Sequence, residues 1–355
     1  MASKKSKTGT IIKLVLCLIL LLLIGGLVFG YAKYNTSLRP VSGISKEISF
    51  TVEDNWTAND VIKELYQKGM IQNEFVAKVY VKLNKIDKIY AGNFTLNQNM
   101  SVPEIFDVLT DEDNAVIEQV ELTIIPGDWC KDVAAKIAEV TDLKASDIMD
   151  RWNDVKYINE LMGKYEFITE DCLASEHCYL EGYLAPETMY LYKNSSIEVI
   201  TEKILDITNE LYMKYRDAIK ASDYTVHQIF TLASMVQFEA KTPEDMKKVA
   251  GVFYNRLNDD WLLGSSVTVC YALYDDYKTW EDCGRNPDIV SPYNTYVNQG
   301  LPIGPICNFN EAAMEATINP EITDYYYFIA NVNTGDMYFA KTYEEHQYNI
   351  DHYMY

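Results

Sequence analysis

A glutamate at the end of an apolar helix pattern is the sharpest candidate for chemistry in this sequence. Thr225-Val-His-Gln228 is a capping box and predicts a helix through about Ala240. At about 100° per residue, Glu239 falls between Leu232 and Val236 on the apolar stripe of that helix. Desolvation and the negative helix end both raise the pKa of such a carboxyl group. A carboxylic acid that stays protonated near neutral pH is a general acid, so we predict that Glu239 is catalytic.

The same pattern leaves a structural role open for Glu239. Its carboxylate could instead pair with an arginine such as Arg256, or lie at a frayed helix end. The helical pattern alone does not decide between these roles.

Two irregular segments could form binding loops, and the second has the amides, hydroxyls and aromatic faces with which proteins hold sugars. Glu181–Thr188 combines acids with glycine, proline and an aromatic ring, and Ser291–Tyr296, followed by Gly300–Pro305, adds amides and hydroxyls. Loops on a rigid scaffold often carry binding sites. A tight turn or a purely structural loop is the alternative for each segment.

Other chemistries find weaker support. His346 and His352 are six residues apart, which does not match the spacing of a helical metal pair. His177 and Cys178 are adjacent, but sequence neighbours rarely form a nucleophile and its base. The sequence shows no GxSxG motif and no glycine-rich phosphate loop. We therefore expect no metal and no cofactor.

Alternating strand and helix patterns surround these candidates and predict an α+β protein. Thr242-Pro-Glu-Asp245 begins the helix after Glu239. Further patterns predict strands at Ile48–Val52 and Gly92–Leu96, and helices after Thr57, over about Glu74–Leu83 and from Ser101 through Leu109.

Composition and charge restrict the function classes. The 355 residues are 48% hydrophobic and 23% charged, which excludes wholesale disorder. With 31 basic and 52 acidic side chains, the net charge of −21 argues against nucleic acid as a partner.

The basic residues at the N-terminus contrast with this acidity. Residues 1–13 contain four lysines and no acid, so the remaining chain carries a net charge of −25. Residues 14–32 are 19 uncharged residues, enough for one transmembrane helix whose lysines stay in the cytoplasm. A cleaved signal peptide is the alternative, because Gly30-Tyr31-Ala32 resembles a cleavage site. We predict a single-pass cell-membrane protein with its body outside the cytoplasm.

The cysteines fit an oxidising compartment. Six of the seven lie beyond the apolar segment, which permits disulfides. Cys172 with Cys178 and Cys270 with Cys283 are the near pairs, although spacing alone does not establish connectivity.

Several phrases of the chain resemble the YceG-like (MltG) family of endolytic murein transglycosylases, in that family's order and spacing. They are Leu180–Thr188, Ala233–Ala240, Val249–Leu257, Thr268–Leu273, Ser291–Tyr296, Gly300–Ile306 and Phe339–His346. The part from about residue 48 to 110 is similar to the family's LysM-like subdomain.

The resemblance implies an enzyme that cleaves peptidoglycan glycan strands internally between N-acetylmuramic acid and N-acetylglucosamine. The muramic acid 6-hydroxyl attacks its own anomeric carbon and leaves a 1,6-anhydro end. The family's essential glutamate falls on Glu239, which would act as general acid and then base. Matching phrases imply six substrate-positioning residues: Glu181, Tyr183, Asn255, Tyr293, Asn294 and Thr295.

The resemblance also implies a domain order and partners. We expect a basic cytoplasmic head (1–13), a transmembrane helix (14–32), a linker (33–47), a small LysM-like α/β subdomain (48–112) and a larger mixed α+β catalytic domain (115–355). Glycan strands, the membrane and peptidoglycan synthases are the implied partners.

The chain departs from the family's pattern in several of the matching phrases. Gln237 stands where many members have a second acid, and Ser265–Val269 lacks the acid and proline of the usual phrase. A peptidoglycan-binding protein without catalysis is therefore the alternative. A hydrolase is a third reading, and it would need Glu181 or Glu187 to place a water.

Overall fold

The computed structural model describes residues 7–53, 55–116 and 119–355. The chain divides into two compact units, Met1–Glu118 and Gln119–Tyr355. Both contain helices and short strands, which confirms the predicted α+β class. The predicted cytoplasmic head lies partly outside the described residues.

The first unit is a two-stranded sheet packed against helices. Its elements are α1 (Lys7–Ser37), β1 (Glu47–Val52), α2 (Ala58–Gln67), α3 (Glu74–Leu83), β2 (Gly92–Asn97) and α4 (Val102–Leu109). Strands β1 and β2 are antiparallel, with Phe50 opposite Phe94. Both rings are buried, together with apolar residues of α2 and α4, so this unit has its own core.

The predicted transmembrane segment falls within α1. Side chains of residues 7–19, 21 and 22 lie outside the described part of the structure. In the described part, no helix combines the length and the hydropathy of a membrane span. The predicted span is therefore not found there.

The second unit is mainly helical. It contains β3 (Gln119–Thr123), α5 (Cys130–Val140), α6 (Ala145–Trp152), α7 (Val155–Met162), β4 (Thr188–Tyr192), α8 (Ile197–Ala221), α9 (Val226–Glu239), α10 (Pro243–Asn258), α11 (Ser266–Leu273), α12 (Trp280–Arg285), α13 (Glu311–Ile318), β5 (Tyr327–Ala330), β6 (Met337–Ala340) and α14 (Tyr343–Tyr353). Strands β3 and β4 form one antiparallel pair, and β5 and β6 form another.

Helix α9 is the central helix of this unit. Residues Ile229 to Val236 are all buried, and α8, α10, α11 and α13 pack against the helix. The predicted capping box is present: Thr225 accepts from the backbone of Gln228, whose side chain accepts from the Thr225 N–H at 2.9 Å. The helix ends at Glu239, which is partly exposed.

The structure decides between the two near cysteine pairs. Cys270 of α11 and Cys283 of α12 form a disulfide, which confirms that pair. Cys172 and Cys178 are free, buried thiols, so the other predicted pair is wrong. Both thiols lie in the apolar core, where they pack as small hydrophobic side chains.

Candidate functional site

Glu239 contacts a serine from the start of another helix. The hydroxyl group of Ser265 donates a hydrogen bond of 2.5 Å to Oε1 of Glu239. Ser265 is buried and precedes α11, whereas Glu239 is partly exposed at the end of α9. The carboxyl group is thus held by Ser265, while the residue as a whole is partly exposed.

Opposing effects act on the acidity of Glu239. Burial raises the pKa of its carboxyl group, while the Ser265 hydrogen bond and the positive charge of Arg256 lower it. Burial is the largest of these effects, so the net pKa is above the usual value. Such a group holds its proton at a higher pH than an exposed glutamate does.

Arg256 influences Glu239 through its charge while its own hydrogen bonds serve the backbone. Its Nε donates to the carbonyl oxygen of Tyr326 at 2.7 Å, and its Nη1 donates to that of Leu263. These bonds fix the guanidinium group, whose residue belongs to α10, against the backbone at Tyr326 and Leu263. The cation is therefore a fixed part of the surroundings of Glu239.

Thr295 holds the backbone of Ser265 in place through hydrogen bonds. Its Oγ1 accepts from the Ser265 N–H at 3.0 Å and lies 3.0 Å from the Thr268 hydroxyl oxygen. Its carbonyl oxygen accepts from the Gly264 N–H at 3.0 Å. Thr295 is buried, so these bonds are shielded from water and hold the chain that presents Ser265.

Gly264 and Tyr296 border the same site. Gly264 has a φ of +53°, and a Cβ there would lie 3.7 Å from both Arg256 Nη1 and Tyr296 Cε1. Glycine is favoured because it adopts this backbone conformation without strain. The Tyr296 ring is 40% exposed and borders the site with a neutral aromatic surface.

Glu181, predicted to position substrate, lies in the core instead. It is 1% exposed, and its carboxyl group accepts from the Cys130 N–H at the start of α5 and from the Tyr271 hydroxyl at 3.0 Å. Burial raises its pKa to about 8, although both hydrogen bonds oppose the shift. Its observed partners are protein groups that join α5 to α11.

Tyr183 and Tyr293 are also buried, and their hydroxyl groups bind protein side chains. The Tyr183 hydroxyl is 2.7 Å from Nδ1 of His227, whose Nε2 faces the carbonyl oxygen of Ile303 at 3.0 Å. Because Nε2 must donate to that carbonyl, Nδ1 accepts from Tyr183. The Tyr293 hydroxyl lies 2.8 Å from the Ser175 hydroxyl oxygen.

The two predicted asparagines hold loop backbone. The Asn255 amide donates to the carbonyl oxygens of Thr323 and Tyr325, and the Asn294 amide donates to those of Pro287 and Ile289. Five of the six predicted positioning residues are buried, and Asn255 is partly exposed. Their role toward a substrate stays a prediction, since the contacts observed are all with other groups of the protein.

The structure adds Ser265 and Tyr296 to the residues selected from the sequence. Ser265 belongs to the phrase that departs from the family pattern, and the serine kept there is the residue that contacts Glu239. The helix start at Ser265 was a signal that sequence reasoning could have used. Among the described residues, no cluster of three or more His, Cys, Asp or Glu could hold a metal ion.

Comparisons with known proteins find similarity over most of the chain. The profile of the YceG-like family matches residues 50–352. An endolytic murein transglycosylase of Bacillus subtilis is 32% identical over 331 residues, which cover 92% of this chain and 89% of that protein.

Two further proteins extend the comparison. An endolytic murein transglycosylase of Streptococcus pneumoniae is 30% identical over 347 residues, 93% of this chain, and the chain spans 63% of that protein's length. The crystal structure of a putative YceG-like protein of Listeria monocytogenes has a TM-score of 0.60 and 34% identity, with 86% of this chain and 99% of that chain covered.

Proposed function

Since the chain belongs to the YceG-like family, we propose that it is a lytic transglycosylase that cleaves peptidoglycan glycan strands internally, with Glu239 as its acid and base. The single observation that carries this proposal is the state of the Glu239 carboxyl group. Burial raises its pKa, one oxygen is held by Ser265, and the residue still reaches solvent. These are the properties of a general acid.

The first step is protonation of the leaving sugar. The protonated Glu239 gives its proton to the glycosidic oxygen, and the bond between that oxygen and C1 of N-acetylmuramic acid breaks. In the second step the 6-hydroxyl oxygen of the same sugar bonds to C1, and its proton passes to the Glu239 carboxylate. The acid form is restored, and no water is consumed.

One carboxyl group suffices for this reaction because the nucleophile belongs to the substrate. Among the described residues, no other carboxylate contributes to the pKa shift of Glu239. Glu181 is buried and accepts from the backbone at the start of α5. Glu187 is exposed, and its side chain accepts from the backbone N–H of the next residue, Thr188. These contacts favour a transglycosylase over a hydrolase that needs a second carboxylate to activate water.

The charge near Glu239 also suits an acidic polymer. Peptidoglycan stem peptides often carry carboxylates, which a strongly negative cleft would repel. The groups that act on Glu239 are the neutral Ser265 and the positive Arg256, and the neutral Tyr296 borders them. The negative charge of the chain as a whole is therefore not concentrated at these contacts.

The N-terminal part completes the proposal. We assign residues 48–112 as a LysM-like subdomain that binds glycan and residues 14–32 as a membrane anchor, so that the second unit acts outside the cytoplasm. Peptidoglycan synthases are the proposed protein partners.

Product analysis of Glu239→Gln tests the activity. The variant should fold and bind glycan strands but release no 1,6-anhydro-muropeptides by mass spectrometry. Glu160→Gln, an exposed carboxylate of α7, is the matched control and should retain activity. Undiminished product from Glu239→Gln would overturn the assignment of the residue. For the wild type, products heavier by one water would indicate a hydrolase, and glycan binding without any product would indicate a binding protein.

A further inference from the structure

A cavity of about 550 Å³ lies beside the C-terminal end of α9. Four of its nine lining residues are aromatic: Trp129, Phe238, Tyr277 and Trp280. Two of these rings offer free surface, since Trp280 is 62% and Phe238 is 39% exposed. A concave site with a largely apolar wall and few polar groups is the usual form of a ligand site.

The cavity shares its supporting elements with Glu239. Phe238 is the residue before Glu239 on α9, and Val267 of α11, also in the wall, follows Ser265 by two residues. The Cys270–Cys283 disulfide joins α11 to α12, whose first residue is Trp280. The aromatic wall is thus tied to the two helix ends that hold the carboxyl group.

Gly127 keeps the cavity open opposite Phe238. Its φ is +96°, and a Cβ there would lie 3.7 Å from Cε1 of the Phe238 ring. A larger side chain would therefore be strained and would occupy the space in front of that ring.

The polar groups of the cavity suit a neutral ligand better than an anion. Nζ of Lys131 donates to the Tyr274 carbonyl oxygen at 2.8 Å and lies 4.8 Å from the centre of the Trp129 ring. Asp275 lies 3.7 Å from this Nζ, and Asp132 adds a second carboxylate to the wall of the cavity. An uncharged carbonyl or hydroxyl oxygen can accept from the ammonium group, whereas a carboxylate would also meet both acids.

We propose that this cavity binds a neutral N-acetylhexosamine unit of the glycan strand, next to the sugar on which Glu239 acts. Exposed aromatic rings cover the C–H face of a sugar ring, and Lys131 can donate to the oxygen of its N-acetyl group. The assignment rests on the proposed function, because it places this unit in the strand that Glu239 would cleave. Trp280 is the first residue of α12, the helix that the disulfide joins to α11, and it contributes the most accessible ring of the cavity.

Calorimetry on the full-length chain in detergent tests this site. Glu239→Gln prevents turnover, and the probe is the neutral tetramer of N-acetylglucosamine. In the Glu239→Gln background, the further substitution Trp280→Ala should weaken binding of the tetramer roughly tenfold, because a whole ring face is lost. Tyr190→Ala is the control, since this ring is 58% exposed on β4 and does not line the cavity. Equal affinity with and without Trp280 would overturn the proposal.

The peptide part of the substrate is the competing occupant. A free stem peptide should bind with the same affinity before and after Trp280→Ala. A loss of peptide binding with unchanged tetramer binding would assign the cavity to the peptide and overturn the sugar site.

Turnover separates this site from the proposed function. With Glu239 intact, Trp280→Ala should raise the KM for glycan strands roughly tenfold and leave kcat near the wild-type value. The proposed function would fail if the wild type formed no anhydro product, and its assignment to Glu239 would fail if Glu239→Gln retained full product formation. An unchanged KM in an enzyme that depends on Glu239 would overturn only the sugar site.

Discussion

The hydroxyl group of Ser265 lies 2.5 Å from Oε1 of Glu239 and donates a hydrogen bond to it. Because Oε1 accepts this hydrogen bond, the proton of the carboxylic acid form lies on Oε2. The buried backbone of Ser265, held by Thr295, fixes the direction of this contact. In the proposed reaction, Oε2 is therefore the oxygen that would give up the proton.

Replacing Ser265 with alanine should change the pH dependence of activity. The hydrogen bond lowers the pKa of Glu239, so its loss raises that pKa and extends the protonated form to higher pH. We expect the alkaline limb of kcat/KM for anhydro-muropeptide release to move up by roughly 0.5–1 pH unit, with a roughly tenfold lower maximum.

The neighbouring serine provides the control. Ser266→Ala removes an exposed hydroxyl group one residue further along, and its pH profile should match the wild type. A Ser265→Ala profile that coincides with the wild type would show that the hydrogen bond does not tune Glu239.

Local sequence patterns were sufficient to locate the helix that carries Glu239. The contacts that start α9 lie between Thr225 and Gln228, within one turn, and α4 begins in the same way after Ser101. Short-range capping contacts depend on few neighbours, so a sequence pattern predicts them directly.

The surroundings of the predicted site residues depend on distant parts of the chain. Glu181 contacts Cys130, 51 residues away, and Tyr271, 90 residues away, and Ser265 is 26 residues from Glu239. Periodicity assigns a face to a helix but does not identify the groups that cover it. For this reason the sequence indicated Glu239 and did not indicate that Glu181 is buried.

Glu181→Gln should alter the pH dependence of stability. The pKa of Glu181 is raised in the folded protein from 4.5 to about 8, so folding retains a proton that the unfolded chain releases within this interval. The stabilisation from this group is complete below about pH 4.5 and is lost as the pH rises toward 8.

Urea denaturation at a series of pH values measures this effect. Between pH 4.5 and 8 the free energy of unfolding of the wild type should fall relative to that of Glu181→Gln, by a total on the order of a few kcal/mol. Parallel curves for the two proteins would contradict the raised pKa.

Thr295→Val should lower stability and activity together. Valine keeps the shape but removes the oxygen that accepts from the buried Ser265 N–H, which costs about 1–3 kcal/mol of unfolding free energy. Thr295→Ser retains this oxygen and should lie close to the wild type in both thermal denaturation and product release. Equal behaviour of the two variants would argue against the hydrogen bond as the cause.

Opening the Cys270–Cys283 disulfide should destabilise the second unit. The two cysteines are 13 residues apart, and closing a loop of this size contributes about 3 kcal/mol in the chain-entropy view. Because α11 starts beside Ser265, the double variant Cys270→Ser/Cys283→Ser should also lose activity. Reductant should reproduce both effects in the wild type and leave the double variant unchanged; a response of the double variant would assign the effect to another cause.

Two substitutions of Arg256 separate its charge from its hydrogen bonds. Arg256→Lys keeps the positive charge that lowers the pKa of Glu239, whereas Arg256→Gln removes it. Neither side chain can reproduce the fork that binds the Tyr326 and Leu263 carbonyl oxygens, so both variants should lose about 1–3 kcal/mol of unfolding free energy. Only Arg256→Gln should move the alkaline limb of kcat/KM upward, because only there does the pKa of Glu239 rise. Similar losses of stability combined with different pH profiles would show that the charge of Arg256 lowers the pKa of Glu239. Identical pH profiles would contradict this effect of the charge.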